Sequence, residues 1–213
     1  VVSYDARGHG ASTRRPPTVS RSAHVEDAAT LIRELGLVRV TVLGQSMGGN
    51  TAMLLASAHP DLVSSLTLVE AGPAGPNPEI PTQIANWLDT WPTPFTSRAQ
   101  AETFLGHEAW ARGLEQRQDG WHPRFDRDTM IASITELAAR SYWAEWERLT
   151  CPTLVVRGGE GMLPAAEAEE MLRRRPRGTR LAVIPDAGHD VHLDRPDQLL
   201  ATLTAPDTRR PAR

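Results

Sequence analysis

Apolar positions along the chain follow two periods, and their alternation predicts its layers. Val25, Ala28, Ala29, Ile32 and Leu35 recur at helical spacing. They predict a helix from about Ser22 to Leu35, with Ser22 as its cap and Gly36 as its stop. Val38 to Leu43 then reads as a strand apolar on both faces. Met47 to Ala58 reads as a helix ended by His59-Pro60, and Ser65 to Val69 as the next strand. Upstream, Val1-Val2-Ser3-Tyr4 predicts a short strand running into the polar, glycine-rich turn Asp5 to Gly10. Late in the chain the rhythm returns. Thr153 to Val156 and Leu181 to Ile184 predict strands, and Ala165 to Arg174 and Asp197 to Leu203 predict helices. Such alternation implies an α/β fold, a mostly parallel sheet covered by helices.

Residues 73–148 break this rhythm. They open on the Pro/Gly-rich run Gly72 to Pro78 and continue as several short helices. All six tryptophans and all three phenylalanines of the chain fall here. A helical cap inserted over the sheet edge where strands end is the simplest expectation. The expected organisation is core at 1–72, cap at 73–148, core at 149–204 and a polar, flexible tail at 205–213.

Composition narrows the partners. With 213 residues, 40% hydrophobic and 23% charged, the chain suits one globular domain. A net charge of −3 gives no electrostatic reason to expect nucleic acid or an anionic membrane. Arg173-Arg174-Arg175 sits among Glu167, Glu169 and Glu170 and reads as the solvated face of a helix. The one cysteine, Cys151, excludes an intrachain disulfide and reads as a small buried hydrophobe. It is consistent with a reducing compartment, and the expected location is the cytoplasm. No apolar run is long enough to span a membrane. No zinc pattern, P-loop or dinucleotide motif stands out, so neither metal nor cofactor is expected. The expected partner is a small-molecule substrate.

The sharpest chemical signal is Gly44-Gln45-Ser46-Met47-Gly48-Gly49, between a predicted strand and a predicted helix. A serine on such a turn has strained backbone angles and an exposed hydroxyl. Small residues at Gly44 and Gly48 let the turn close. The helix N-terminus places the Met47 N–H where an oxyanion would form. The second signal is Gly188-His189 after a late strand, where a base for Ser46 could stand; His192 is the backup. A carboxylate is needed to orient His189. Two strand ends offer one, Glu70 and Glu160. Asp186 and Asp190 lie too near His189 in sequence to swing round.

Taken together, Tyr4-Asp5-Ala6-Arg7-Gly8-His9-Gly10-Ala11-Ser12, the Gly44 to Gly49 turn and Gly188-His189 resemble the α/β-hydrolase family over nearly the whole chain. The resemblance implies that the strand at Val1 is the family's fourth. It also implies that Asp5 and Arg7 tie down the loop after it. The family's usual acid position falls here on Gly161. Members such as certain haloalkane dehalogenases place the acid at the end of the sixth strand, which is Glu70, so Glu70 is preferred and Glu160 is the alternative. Their nucleophile is Asp; Ser46 points instead to acyl transfer. The resemblance further implies that three N-terminal strands and a loop supplying a second oxyanion donor are missing, as in a fragment of a longer hydrolase.

The expected function is a serine hydrolase of a small, mainly apolar ester, thioester, lactone or amide, with carboxylic esters foremost. By resemblance, carbon–carbon hydrolysis and perhydrolysis stay open. Trp87, Trp91 and Trp143 are candidate substrate contacts, although packing of the cap explains any single aromatic more simply. The alternative is a non-catalytic ligand- or partner-binding module on the same fold.

Overall fold

The computed structural model describes residues 1–205, so the expected tail beyond Ala205 lies outside the described residues. In chain order the elements begin with α1 (Arg21–Glu34), β1 (Val40–Gln45), α2 (Ser46–Ala58) and β2 (Val63–Val69). There follow α3 (Ile80–Asp89), α4 (Arg98–Leu105), α5 (Glu108–Arg112), β3 (Glu115–Arg117), β4 (Gly120–His122) and α6 (Arg127–Ala138). The chain closes with α7 (Trp143–Arg148), β5 (Thr153–Gly158), α8 (Ala165–Arg174), β6 (Thr179–Ile184), α9 (Val191–Asp194) and α10 (Pro196–Thr204). No helix among the described residues is long and apolar enough to cross a membrane.

The chain divides into two compact units. One joins residues 1–31 to 75–141, and the other joins 32–74 to the segment from Tyr142 onward. The second unit, the sheet unit, holds a four-stranded sheet in the order β1-β2-β5-β6, with every pairing parallel. Its inner strands are apolar because both faces are covered. Val69, Val156 and Ile184 pack with Ala187, Val191 and Leu199. Helix α2 packs on β1, β2 and α7. Trp146 is fully buried, with its indole N–H donated to the Met171 carbonyl.

The first unit is mainly helical. α3 packs on α6 and α4 on α5. Ser97 caps α4 through the Gln100 N–H, and Asp126 caps α6 through the Thr129 N–H. Its core gathers Leu88, Trp91, Phe95, Ala101, Ala111 and Leu114, with Trp121 and Phe125 against them. The two-stranded hairpin β3-β4, which the sequence pattern does not predict, is tied to Phe95 by reciprocal main-chain bonds with Trp121 at 2.8 and 2.9 Å. The early loop is tied as its residues imply. Asp5 accepts the Ala11 N–H, and the Arg7 guanidinium forks onto Asp27 at 2.6 and 2.7 Å.

Four local expectations are corrected. Residues 1–4 form no strand and Val1, Val2 and Tyr4 are exposed, because β-propensity reflects packing against cross-strand neighbours more than an intrinsic backbone preference. The α1 cap is Ser20, whose Oγ accepts the Ala23 N–H, rather than Ser22. β1 is not buried on both faces. It is the outer strand of the sheet, and Leu43 is exposed. Arg175 is not on a solvated face: it is buried over the Trp146 ring and donates to the carbonyls of Leu149 and Cys151.

Candidate active site

Parallel strands end at one edge of the sheet, and the register sets what stands there. Gln45 is in register with Val69, and Val69 with Val156. Ser46 and Glu70 are therefore the next residues on adjacent strands. Both turn sharply, with φ of 50° at Ser46 and 51° at Glu70. A non-glycine residue in this region carries strain that the surrounding structure must hold. At Ser46 the strain comes from passing directly from β1 into α2. Gly44 makes the turn possible, since a Cβ there would run into the Gly48 carbonyl. Gly48 itself faces open space and Gly49 approaches Ala71, so the close contacts belong to Gly44 and Gly49 rather than to Gly44 and Gly48.

Glu70 is buried, and its carboxylate is surrounded by donors. Oε1 accepts the Gly158 N–H at 2.7 Å, and Oε2 accepts the N–H groups of Met162 at 2.6 Å and Leu163 at 3.0 Å. His189 Nδ1 lies 3.4 Å from Oε2. Burial pushes this carboxyl up. The bonds from His189, Leu163, Gly158 and Met162 outweigh burial and hold it below the usual carboxylate range. An ionised carboxylate only accepts, so the nitrogen facing it is the protonated one. The other ring nitrogen, Nε2, is then free to act as a base.

The loop after β5 is shaped around Glu70. Arg157 clamps it from within by donating to the carbonyls of Leu163 and Gly159. Gly161 lies so close that a Cβ there would fall inside the Glu70 carboxylate. Glu160 is exposed, and only its main chain is engaged, by the Ala187 carbonyl. The structure thus brings Glu70, not Glu160, to His189.

His189 follows the loop after β6. The Gly188 N–H is held by Asp194 at 2.7 Å, and the His189 carbonyl by the Gln45 amide at 2.8 Å. No hydrogen bond joins Ser46 Oγ to the His189 ring among the described residues. His192 is exposed in α9. No group of three or more His, Cys, Asp or Glu residues among the described ones is placed to hold a metal ion.

Of the three tryptophans marked as substrate contacts, Trp87 and Trp91 belong to the first unit and Trp143 to the sheet unit. Trp91 is buried in the first unit's core, edge-on to Trp87 at 5.1 Å, while Trp87 is exposed in α3. Trp143, in the sheet unit, lies beneath the Arg174 guanidinium at 4.3 Å. Sequence reasoning missed two polar residues of this region, Gln45 and Asp194. Gln45 is only the variable position of the Gly44 to Gly49 turn and Asp194 belongs to no motif, so only the fold shows their bonds to the His189 loop.

Comparison with known proteins shows the family to which the chain belongs. The model of the alpha/beta hydrolase family matches residues 1–202. The chain is 28% identical to the sn-1-specific diacylglycerol lipase ABHD11 of Mus musculus over 96% of its own length and 70% of that protein's. It is 25% identical to the serine hydrolase BPHL of Homo sapiens, over 91% of its length and 64% of that protein's. Among solved structures, E-2-(acetamidomethylene)succinate hydrolase superposes with a TM-score of 0.86 at 24% identity, covering 94% of this chain and 78% of that one.

Proposed function

Because the chain belongs to the alpha/beta hydrolase family, we propose that it is a serine hydrolase whose nucleophile is Ser46, whose base is His189 and whose acid is Glu70. The Glu70 carboxylate facing His189 Nδ1 carries this reading. It leaves Nε2 as the basic atom and provides an anion to stabilise the imidazolium. Ser46 Oγ attacks a substrate carbonyl carbon while its proton passes to His189 Nε2. The Met47 N–H at the start of α2 donates to the resulting oxyanion. As the tetrahedral centre collapses, the imidazolium gives its proton to the departing alcohol, thiol or amine. His189 then deprotonates water, which attacks the acyl-enzyme, and as that tetrahedral centre collapses the imidazolium returns the proton to Ser46 Oγ and the acid product leaves. Proton transfer needs Nε2 within about 2.6–3.2 Å of Oγ, a contact that tightens when substrate binds.

The substrate proposed is a small, mainly apolar carboxylic ester, with thioester, lactone and amide as chemically equivalent alternatives. A lipase among the relatives supports the ester. Of the three tryptophans, Trp87 is exposed on the first unit, whereas the contacts of Trp91 and Trp143 support packing. The second reading, a binding module on the same fold, is favoured by the absent hydrogen bond between Ser46 and His189.

Labelling with a fluorophosphonate probe separates the two. The expected result is one adduct, mapped to Ser46 by mass spectrometry, that disappears in His189→Ala while circular dichroism shows the variant folded. A folded wild-type chain that takes no label would overturn the hydrolase reading and leave the binding module.

A further inference from the structure

Gln45 ends β1 and is the N-cap of α2, where a side chain could cap the helix, yet it makes no capping hydrogen bond. Its amide turns across the strand ends instead. Nε2 donates to the His189 carbonyl at 2.8 Å and to Asp190 Oδ1 at 3.1 Å, on a loop about 145 positions away in sequence. Both hydrogens of one amide thus grip the same loop. On the other side of His189, Asp194 holds the Gly188 N–H at 2.7 Å. The base therefore sits between two main-chain anchors, and one of them is the residue bonded to the nucleophile.

The acid does not supply the same control. The His189–Glu70 contact is long, at 3.4 Å, and the Glu70 carboxylate is shared between it and three shorter main-chain bonds. That contact sets which ring nitrogen carries the proton but only weakly restrains where the ring stands. Placement of Nε2 relative to Ser46 Oγ falls to the backbone of the His189 loop. A displacement of about 1 Å in such a group is enough to cost around 10²-fold in rate.

We propose that Gln45 is a positioning residue that fastens the His189 loop to the nucleophile turn and so sets the distance between base and nucleophile. This rests on the serine-hydrolase reading above and adds a fourth side chain to it. Gln45 touches neither substrate nor the reacting atoms; it acts through the His189 main chain. The chemistry requires a side chain long enough to cross the strand ends and carrying two donors. Glutamate has the length but presents acceptors to a carbonyl and a carboxylate. Methionine has the length and neither donors nor charge.

The test compares wild type, Gln45→Met, Gln45→Ala and Gln45→Glu by the second-order rate of fluorophosphonate labelling at Ser46 across pH. Melting temperature and circular dichroism are measured on the same samples, and the downfield proton resonance of the His189 ring N–H is recorded by NMR. The expected result is a rate at least tenfold lower in Met and Ala, lower again in Glu above the carboxyl pKa, and a broadened His189 resonance in folded protein. A variant that labels at the wild-type rate with an unchanged resonance would overturn the proposal while leaving Ser46 as nucleophile. A folded wild type that takes no label sinks the serine-hydrolase reading and this proposal together. If Gln45→Ala fails to fold, Gln45→Met, which keeps the side-chain volume, decides.

Discussion

The two units of the molecule fix their important groups by different means. In the sheet unit the fixing is done by main chain. Register places Ser46 and Glu70 on adjacent strands, positive φ angles turn both of them, and three N–H groups hold the Glu70 carboxylate. In the first unit it is done by side chains. Arginines pair with carboxylates, Arg7 with Asp27, Arg14 with Glu115, Arg15 with Asp126 and Arg127 with Asp89, and the unit's core holds tilted and edge-on aromatics. Main-chain fixing suits chemistry, because a reacting group must be held to within a fraction of an ångström. Side-chain fixing tolerates substitution one pair at a time.

The largest effect should come from removing the carboxylate that the sheet unit's main chain holds. Glu70→Ala is expected to lower Ser46 labelling and ester hydrolysis by about 10³–10⁴-fold, the scale found when a triad acid is lost. Glu160→Ala should stay within about twofold of wild type, since that side chain is exposed. Equal losses in the two variants would break the assignment. The Gly161 contact sharpens it further. Gly161→Asp alone collides with Glu70, whereas Glu70→Ala combined with Gly161→Asp puts a carboxylate back into the vacated space. The double variant should recover at least tenfold over Glu70→Ala. No recovery would mean that the loop cannot present an acid of its own.

That contact also shows what the sequence could and could not reveal. The turn at Ser46 was legible because its geometry demands glycine at Gly44 and a strand and helix on either side. His189 was legible from its place after a late strand. The acid was narrowed to two residues and no further, because the choice depends on a contact between positions 70 and 189 that no local pattern encodes. Residues 1–4 were misread because β-propensity says nothing about whether a neighbouring strand is present. The β3-β4 hairpin was overlooked since its strands are three residues long and show no alternation, although Gln118-Asp119-Gly120 carries a turn signal. Gln45 was seen only as a filler position in a motif, and its amide acquires a role only once the fold brings the His189 loop to it.

In the first unit the largest single loss should come from its aromatic core. Phe95 is fully buried and touches Trp91 and Phe104, with ring centroids 6.1 and 5.7 Å away. Phe95→Ala is expected to destabilise by about 3–5 kcal/mol, measured by denaturant unfolding. A cost under about 1 kcal/mol would mean that the cluster repacks freely.

Next comes a pH effect centred on His24. This side chain is buried beside Arg21 and near Arg7, with Ser133 Oγ 3.3 Å from its Nε2. Burial first, and then the two arginines, lower its pKa from the ordinary 6.5 to about 4, although Asp27 pulls the other way. Between those values the unfolded chain binds the proton and the folded chain does not. Stability is therefore complete above about pH 6.5 and falls as pH drops toward 4, by up to about 3 kcal/mol. Unfolding curves from pH 7 to 4 should show this slope in wild type and a shallower one in His24→Asn. Identical slopes would remove His24 as the cause.

The smallest effect should be the Arg7–Asp27 pair, and its size tests the contrast between the units most directly. The fork is well formed at 2.6 and 2.7 Å, but Asp27 keeps 36% of its side-chain exposure, so water and salt share the charge. Coupling between Arg7→Ala and Asp27→Ala in a double-mutant cycle is expected at about 0.5–1 kcal/mol, shrinking further in high salt. The pair's other consequence is local: Arg7 also donates to the Thr18 carbonyl, so its loss frees two segments of the loop that precedes α1. Coupling of several kcal/mol, insensitive to salt, would show that side-chain pairs in this unit hold structure as firmly as the main chain holds Glu70. The distinction between the two kinds of fixing would then fail where it is easiest to measure.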